Sequence, residues 1–335
     1  MSLTEEGIID VPGMLSRWVR LATGAKAHYV TSGESGPAVV LLHGGIIGSS
    51  GTAGWRFMAP FLGANGFRVY CPDMPSFGLT EDPEDAYAFG EGGHADFVHD
   101  YVNAVCVDKF HISGNSMGCS NTVNYVTAHP ERILSYALIA GGIGDIVPMG
   151  QMMAADPRPA DARPNIQQFD GTPDSMRRMM EAIIYRPGAI SEDLIAMRTS
   201  AANHHRDSYT KRMQMMMAEN GPGGTPDTNK AARMSTKGRF DKMTLPGIYL
   251  YGRQDVLISH EAGYLQEDAL PNVQFFYPDE TGHQGQTDQP DLFNQTFLEF
   301  FRDGKVSWET AKAAGISDRR PPNPDLVAVP AGVSA

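Results

Sequence analysis

The chain has 335 residues, 41% of them apolar and 20% charged, proportions of an ordinary folded protein that leave no compositional case for global disorder. A formal net charge of −12 argues against nucleic acid or an anionic membrane surface as a partner, because both require a basic footprint. No stretch approaches the ~18 uninterrupted apolar residues of a membrane-spanning helix. The opening MSLTEEGIIDVPG carries two glutamates and no basic segment ahead of an apolar run, which argues against a secretory leader and for a cytoplasmic protein. Cys71, Cys106 and Cys119 are odd in number and lie in apolar contexts; they read as buried free thiols of a reducing compartment.

Strand-like and helix-like segments alternate along the first part of the chain. Residues 37–42 (PAVVLL) form a continuous apolar run ending at His43-Gly44-Gly45, as expected of a strand buried on both faces of a parallel sheet. Helical spacing follows over 55–64, a strand over 67–71, an amphipathic helix over 94–107 and a strand over 109–113. Gly114-Asn115-Ser116-Met117-Gly118 then leads into a helix closed near His129-Pro130, and 133–140 (ILSYALIA) is the next strand. Such alternation predicts an α/β fold, with a mostly parallel central sheet flanked by helices.

The rhythm stops between about 149 and 235, where no strand is apparent and helical stretches are separated by DPRPADARP and NGPGGTPDT. Twelve of the eighteen methionines fall in this quarter of the chain, a residue suited to irregular apolar gaps and adaptable surfaces. The pattern resumes with a strand over 247–251, a helix near 260–269, a strand over 273–277 and a helix over 291–301. The expected organisation is a core over 1–148, an inserted helical lid over 149–235, the rest of the core over 236–303, and a Pro-rich tail over 304–335. The end of that tail, RRPPNPDLVAVPAGVSA, is expected to be loose or draped on the surface.

Gly-x-Ser-x-Gly between a strand and a helix is the setting of a nucleophile elbow, in which the serine occupies a strained corner and the flanking glycines let backbones approach. Ser116 is therefore the candidate nucleophile, and the Met117 amide, at the start of the following helix, a candidate oxyanion donor. A serine needs a base, and the base an orienting acid. In the order Ser…Asp…His, Asp255 follows the strand over 247–251 and His283 follows the strand over 273–277; Asp145, after the strand over 133–140, is the rival acid. A backbone amide near Gly45 is the candidate second oxyanion donor. His43 reads as structural, and His204-His205 lack metal-ligand partners at convincing spacing.

These stretches resemble the α/β-hydrolase family, and within it the carbon–carbon bond hydrolases that cleave meta-ring-fission products of aromatic catabolism. The resemblance is carried by HGGIIGSSGTAGWRFMAPFL, FRVYCPDMPSFGLTE, GNSMGCSNTVNYVTAHPERI, YGRQDVLIS and GHQGQTDQPDLFNQ, spanning about 28–302. It implies an α/β-hydrolase fold and a Ser116–His283–Asp255 triad acting on a 2-hydroxy-6-oxo-dienoate, with no metal or organic cofactor. It also implies a small apolar substrate bearing a carboxylate, and a homo-oligomer. EAIIYRPGAISEDLIAMRTSA is similar to the lid segment bearing the arginine that binds the substrate carboxylate, which falls on Arg198, and Asn115 matches an asparagine that contacts substrate. Gly44 and Gln284 join them as implied substrate contacts. The sequence departs from the family at Gln284, where many members carry tryptophan, and at Phe57, where they carry asparagine. The loop after Gly45 also lacks the family's third glycine and proline. Carboxylesterases and lactonases share the triad and form the alternative, and a non-catalytic binding protein of the same fold is a third reading.

Overall fold

The computed structural model describes residues 3–81, 86–87, 90–159, 169–220 and 232–331. A hairpin of β1 (Leu15–Arg20) and β2 (Lys26–Ser32) opens the chain, and β2 runs antiparallel to β4 (Arg68–Pro72). Every further pairing in this sheet is parallel: β3 (Ala38–Leu42) with β4 and β5 (Phe110–Asn115), then β6 (Ile133–Ile139), β7 (Gly247–Leu250) and β8 (Val273–Phe276). The eight-stranded order is β1-β2-β4-β3-β5-β6-β7-β8. The hairpin escaped the sequence reading because no residue of β1 is buried, Leu15 being exposed, so its apolar signal is weak.

The continuous apolar strands are explained by burial on both faces. In β3, Val39 and Leu41 join one apolar cluster while Ala38, Val40 and Leu42 join the other. The first cluster takes in helices α1 (Gly51–Trp55), α2 (Met58–Ala64) and α11 (Pro290–Asp303); the second takes in α3 (Glu91–Ala104), α4 (Met117–Ala128) and α9 (His260–Ala269). The single helix expected over 55–64 is two. Pro60 has no N–H to give the Arg56 carbonyl and would crowd it, so the chain restarts at Met58.

Between β6 and β7 come α5 (Met149–Ala154), α6 (Pro173–Ile183), α7 (Glu192–His204) and α8 (Arg206–Asn220). Their starts are written locally: Thr172 and Ser191 accept hydrogen bonds from the Ser175 and Leu194 amides as N-caps. Met176, Met179, Met180 and Met197 are buried in the same cluster as Trp55 and Leu41, so methionines of this inserted helical segment, called the lid below, pack directly onto the core. Among the described residues no helix is long and apolar enough to cross a membrane.

One expectation is corrected and another is narrowed. Cys106 is exposed, at a positive-φ turn just beyond α3, whereas Cys71 and Cys119 are buried. The C-terminal segment, as far as it is described, is docked rather than loose: β10 (Val327–Ala328) pairs in parallel with β9 (Val306–Ser307), and Leu326 and Val327 are buried against the core. Arg320 donates to the Glu267 and Leu270 carbonyls. Four prolines do not prevent docking, because two apolar side chains and a few backbone bonds are enough to seat the strand. Leu326→Ala should lower unfolding stability by about 2–3 kcal/mol, read as a lower urea midpoint with an unchanged m-value. An unchanged midpoint would show the segment to be dispensable.

Candidate active site

β5 delivers the chain to Ser116, which sits at φ 57°, ψ −116° immediately before α4. This backbone region is disfavoured for a side-chain-bearing residue, at about 1–3 kcal/mol. The corner is held by its surroundings. The Ser116 amide donates to the Ile139 carbonyl at 2.9 Å, and the Ser116 carbonyl accepts from the Cys119 and Ser120 amides. A Cβ on Gly114 would lie 2.0 Å from the Gly118 carbonyl oxygen, and one on Gly118 would lie 2.1 Å from that of Leu42. Gly141 closes the third side, where a Cβ would stand 2.5 Å from the Ser116 carbonyl oxygen. The Tyr249 hydroxyl donates to the Gly141 carbonyl and accepts from its amide.

The glycine loop after β3 passes against this corner. A Cβ on Gly44 would be 3.5 Å from the Ser116 Cβ, and one on Gly45 only 2.9 Å from Met117 Cβ and Sδ. His43 fixes the loop's entry. Its Nε2 accepts from the Met74 amide at 3.0 Å, so its Nδ1 carries the proton and donates to the Gly44 carbonyl at 2.7 Å. Burial pushes the His43 pKa down and keeps the ring neutral.

Asp255 and His283 meet where their strands end. Asp255 Oδ2 accepts from His283 Nδ1 at 2.8 Å, both groups being buried, and Oδ1 accepts from the Leu257 and Ile258 amides. With Nδ1 committed to the carboxylate, His283 Nε2 is the nitrogen left to take a proton; it is buried and has no hydrogen-bond partner among the described residues. Asp145 is engaged elsewhere, accepting from Ser235 Oγ, the Thr236 amide and hydroxyl, and the Lys237 amide. Burial opposes its ionisation, but these bonds outweigh that and hold its pKa at about 2.

The loop of His283 is also pinned to the lid. Its amide donates to the Ile183 carbonyl at 3.0 Å. Buried Asp288 accepts from the Arg186 and Gly282 amides, joining a lid residue to the residue before His283. Burial raises the Asp288 pKa to about 6 despite these bonds. Asn115, expected to contact substrate, has its Nδ2 taken up by the His283 carbonyl at 2.9 Å and more distantly by that of Ile139. It ties the end of β5 to the histidine loop. Gln284 heads the short α10 (Gly285–Asp288), and its buried Oε1 has no partner among the described residues.

Arg198, on α7, is 1% exposed. Its Nη1 donates to Ser49 Oγ at 3.3 Å, and among the described residues its buried Nε has no partner and no carboxylate pairs with it. Burial, with repulsion from Arg56, lowers its pKa to about 9. Arg56 itself spans to the lid, donating to the Ala53 and Ala189 carbonyls. His205 donates from Nε2 to the Gly78 carbonyl, and among the described residues no group of three potential metal ligands gathers. The sequence reading passed over Tyr249, Asp288 and the lid's Tyr209, whose hydroxyl donates to the Gly45 carbonyl at 3.2 Å. Each acts on the site through a backbone group distant in sequence, which no motif spacing encodes.

A parallel sheet carrying a serine at a strained strand-to-helix corner, with an Asp–His pair on later strand ends, is the architecture of the α/β-hydrolases. The family model for the α/β hydrolase fold matches residues 37–290, and the chain belongs to this family; it is an enzyme of the hydrolase class. The chain is similar to a 2-hydroxy-6-oxononadienedioate/2-hydroxy-6-oxononatrienedioate hydrolase of Dechloromonas aromatica, at 26% identity over 90% of this chain and 99% of that one. A protein of the same name from Pseudomonas putida is 27% identical over 86% of this chain and 96% of its own. Among solved structures, the 2-hydroxy-6-oxo-6-phenylhexa-2,4-dienoate hydrolase of Rhodococcus superposes with a TM-score of 0.68 at 25% identity, covering 86% of this chain and 99% of that chain.

The two acids are separable by experiment. Asp255→Ala should slow labelling of Ser116 by a serine-directed phosphonate about 10⁴-fold, whereas Asp145→Asn should leave the labelling rate unchanged. Because Asp145 is depressed in the folded state, its contribution to stability is present above its unfolded pKa near 4 and is lost as pH falls towards 2. The melting difference between Asp145→Asn and wild type should therefore shrink over that window; a constant difference would refute the linkage.

Proposed function

We propose that the protein is a serine-dependent carbon–carbon bond hydrolase acting on a 2-hydroxy-6-oxo-dienoate produced by ring fission, with Ser116, His283 and Asp255 as its triad. The observation that carries this reading beyond a general esterase is Arg198, a buried cation on the lid helix with an unpaired Nε and no carboxylate partner among the described residues. A buried charge without a counter-charge is costly to maintain, and a substrate carboxylate of matching fork geometry would complete it. The names borne by the similar proteins from Dechloromonas and Pseudomonas agree in substrate type.

In this mechanism Arg198 grips the dienoate carboxylate. The dienol tautomerises in the site, its O2 proton passing to C5, which makes C6 an isolated ketone. His283 Nε2 takes the Ser116 proton as Oγ bonds to C6, and the oxygen that gains charge is met by the amides of Gly45 and Met117. Collapse of this intermediate breaks the C5–C6 bond. The electron pair is delocalised into the departing dienolate, which receives the proton held by His283. Water then gives a proton to His283 and attacks the acyl carbon; Ser116 leaves and recovers its proton. Asp255 holds the imidazole tautomer throughout and stabilises its charged form.

Mixing the protein with yellow ring-fission products that differ in the 6-substituent tests the reading by loss of the visible band. Turnover abolished in Ser116→Ala is the expected result; cleavage of simple p-nitrophenyl esters with every dienoate left intact would establish the esterase alternative. Arg198→Met should raise KM for a dienoate about a hundredfold while leaving ester hydrolysis nearly unchanged. Because the Arg198 cation exists below pH 9 or so, KM should be flat under that value and rise as pH passes through it. The variant should lose that rise, and a pH profile shared by variant and wild type would remove Arg198 from the site.

A further inference from the structure

The proposed oxyanion donor, the Gly45 amide, lies in a loop with two successive glycines and thus with little torsional preference of its own. Its direction has to be imposed from outside. The described chain has no cis peptide, so the Gly45 N–H points opposite the Gly44 carbonyl across one planar unit. That carbonyl is held by His43 Nδ1 at 2.7 Å from the core side. The next carbonyl, that of Gly45, is held by the Tyr209 hydroxyl at 3.2 Å, and Tyr209 belongs to lid helix α8. The two pins are joined through Phe77, whose ring packs edge-on against His43 at 5.1 Å and against Tyr209 at 5.8 Å. One helical turn earlier, the Tyr209 amide donates to the His205 carbonyl, and His205 in turn fastens to the Gly78 carbonyl. Burial raises the Tyr209 pKa, so the hydroxyl remains a donor across the working range.

We propose that Tyr209 is a positioning residue through which the seated lid aims the Gly45 amide at the oxyanion: with both neighbouring carbonyls fixed, one from the core and one from the lid, the glycine loop has a single orientation. The inference rests on the reading of Ser116 as nucleophile and Gly45 as donor. It gives the lid a part in the chemistry beyond covering the substrate, since lifting α8 would release one of the two pins.

Tyr209→Phe keeps the ring contacts and removes only the hydroxyl. Rates are expressed per serine titrated with a phosphonate, so that misfolded protein does not count. The expected result is a kcat about tenfold lower, part of the 10²–10³-fold lost when such a donor is removed outright, with KM within twofold of wild type. Affinity for a boronate or trifluoromethyl ketone, which presents an oxyanion to the loop, should fall by the same factor, while affinity for a product carboxylate holds. Gly45→Ala, whose Cβ would press on Met117, should combine with Tyr209→Phe less than additively, because both act on one loop. Wild-type kcat in Tyr209→Phe, equal losses for the oxyanion mimic and the product, or additive effects in the double variant would each overturn the proposal. Failure of the underlying hydrolase reading looks different: wild type itself would then turn over neither esters nor dienoates and would resist the phosphonate.

Discussion

The close approach of backbone at the β5–α4 corner is the constraint from which the rest of the site follows. Ser116 can occupy its positive-φ conformation only because Gly114, Gly118 and Gly141 carry no Cβ where neighbouring carbonyls stand 2.0–2.5 Å from where one would be. That crowding places the serine at the carboxyl end of the sheet and brings the β3 glycine loop against Met117. The local strain is offset by the hydrogen bonds of β5 and β6 and by the two apolar clusters that bury both faces of the sheet.

Charge is distributed in keeping with that geometry. The Asp255–His283 pair is buried but satisfied, since the carboxylate also accepts two backbone amides and the imidazole needs only its outer nitrogen free. Arg198 is the opposite case, buried with donors to spare. The first arrangement is stable by itself; the second keeps a buried cation at a cost in desolvation. The unsatisfied charge sits on a helix of the segment inserted between β6 and β7, outside the sheet itself.

Lid and core are nevertheless stitched together at several points: Ile183 and Arg186 to the histidine loop and Asp288, Arg56 to Ala189, His205 to Gly78, and Tyr209 to Gly45. Most of these bonds end on a backbone carbonyl or amide. They therefore constrain loop orientation whatever side chains the loops carry, which is why a glycine-rich loop can serve as a fixed site.

Legibility from sequence followed the range of the interaction. Buried strands, the elbow and the order of Ser116, Asp255 and His283 are written in local patterns: continuous apolar runs, glycines flanking a serine, acid and histidine at successive strand ends. The exposed hairpin strand β1, the break at Pro60 and the docked tail were harder, because a half-solvated strand and a two-residue apolar anchor leave little periodic signal. Strand-end position favours Asp255 over Asp145 as the acid, but only the structure reveals that Asp145 is occupied by amides and hydroxyls while Asp255 faces an imidazole. Likewise Asn115 turned out to hold the His283 loop, and Tyr209 and Asp288 entered the site at all, through contacts with backbone groups far away in the chain. A sequence by itself determines which groups a protein possesses and the local backbone shapes they favour. Which donor meets which acceptor is decided by tertiary packing, because a hydrogen bond depends on ångström distances and sequence records only order.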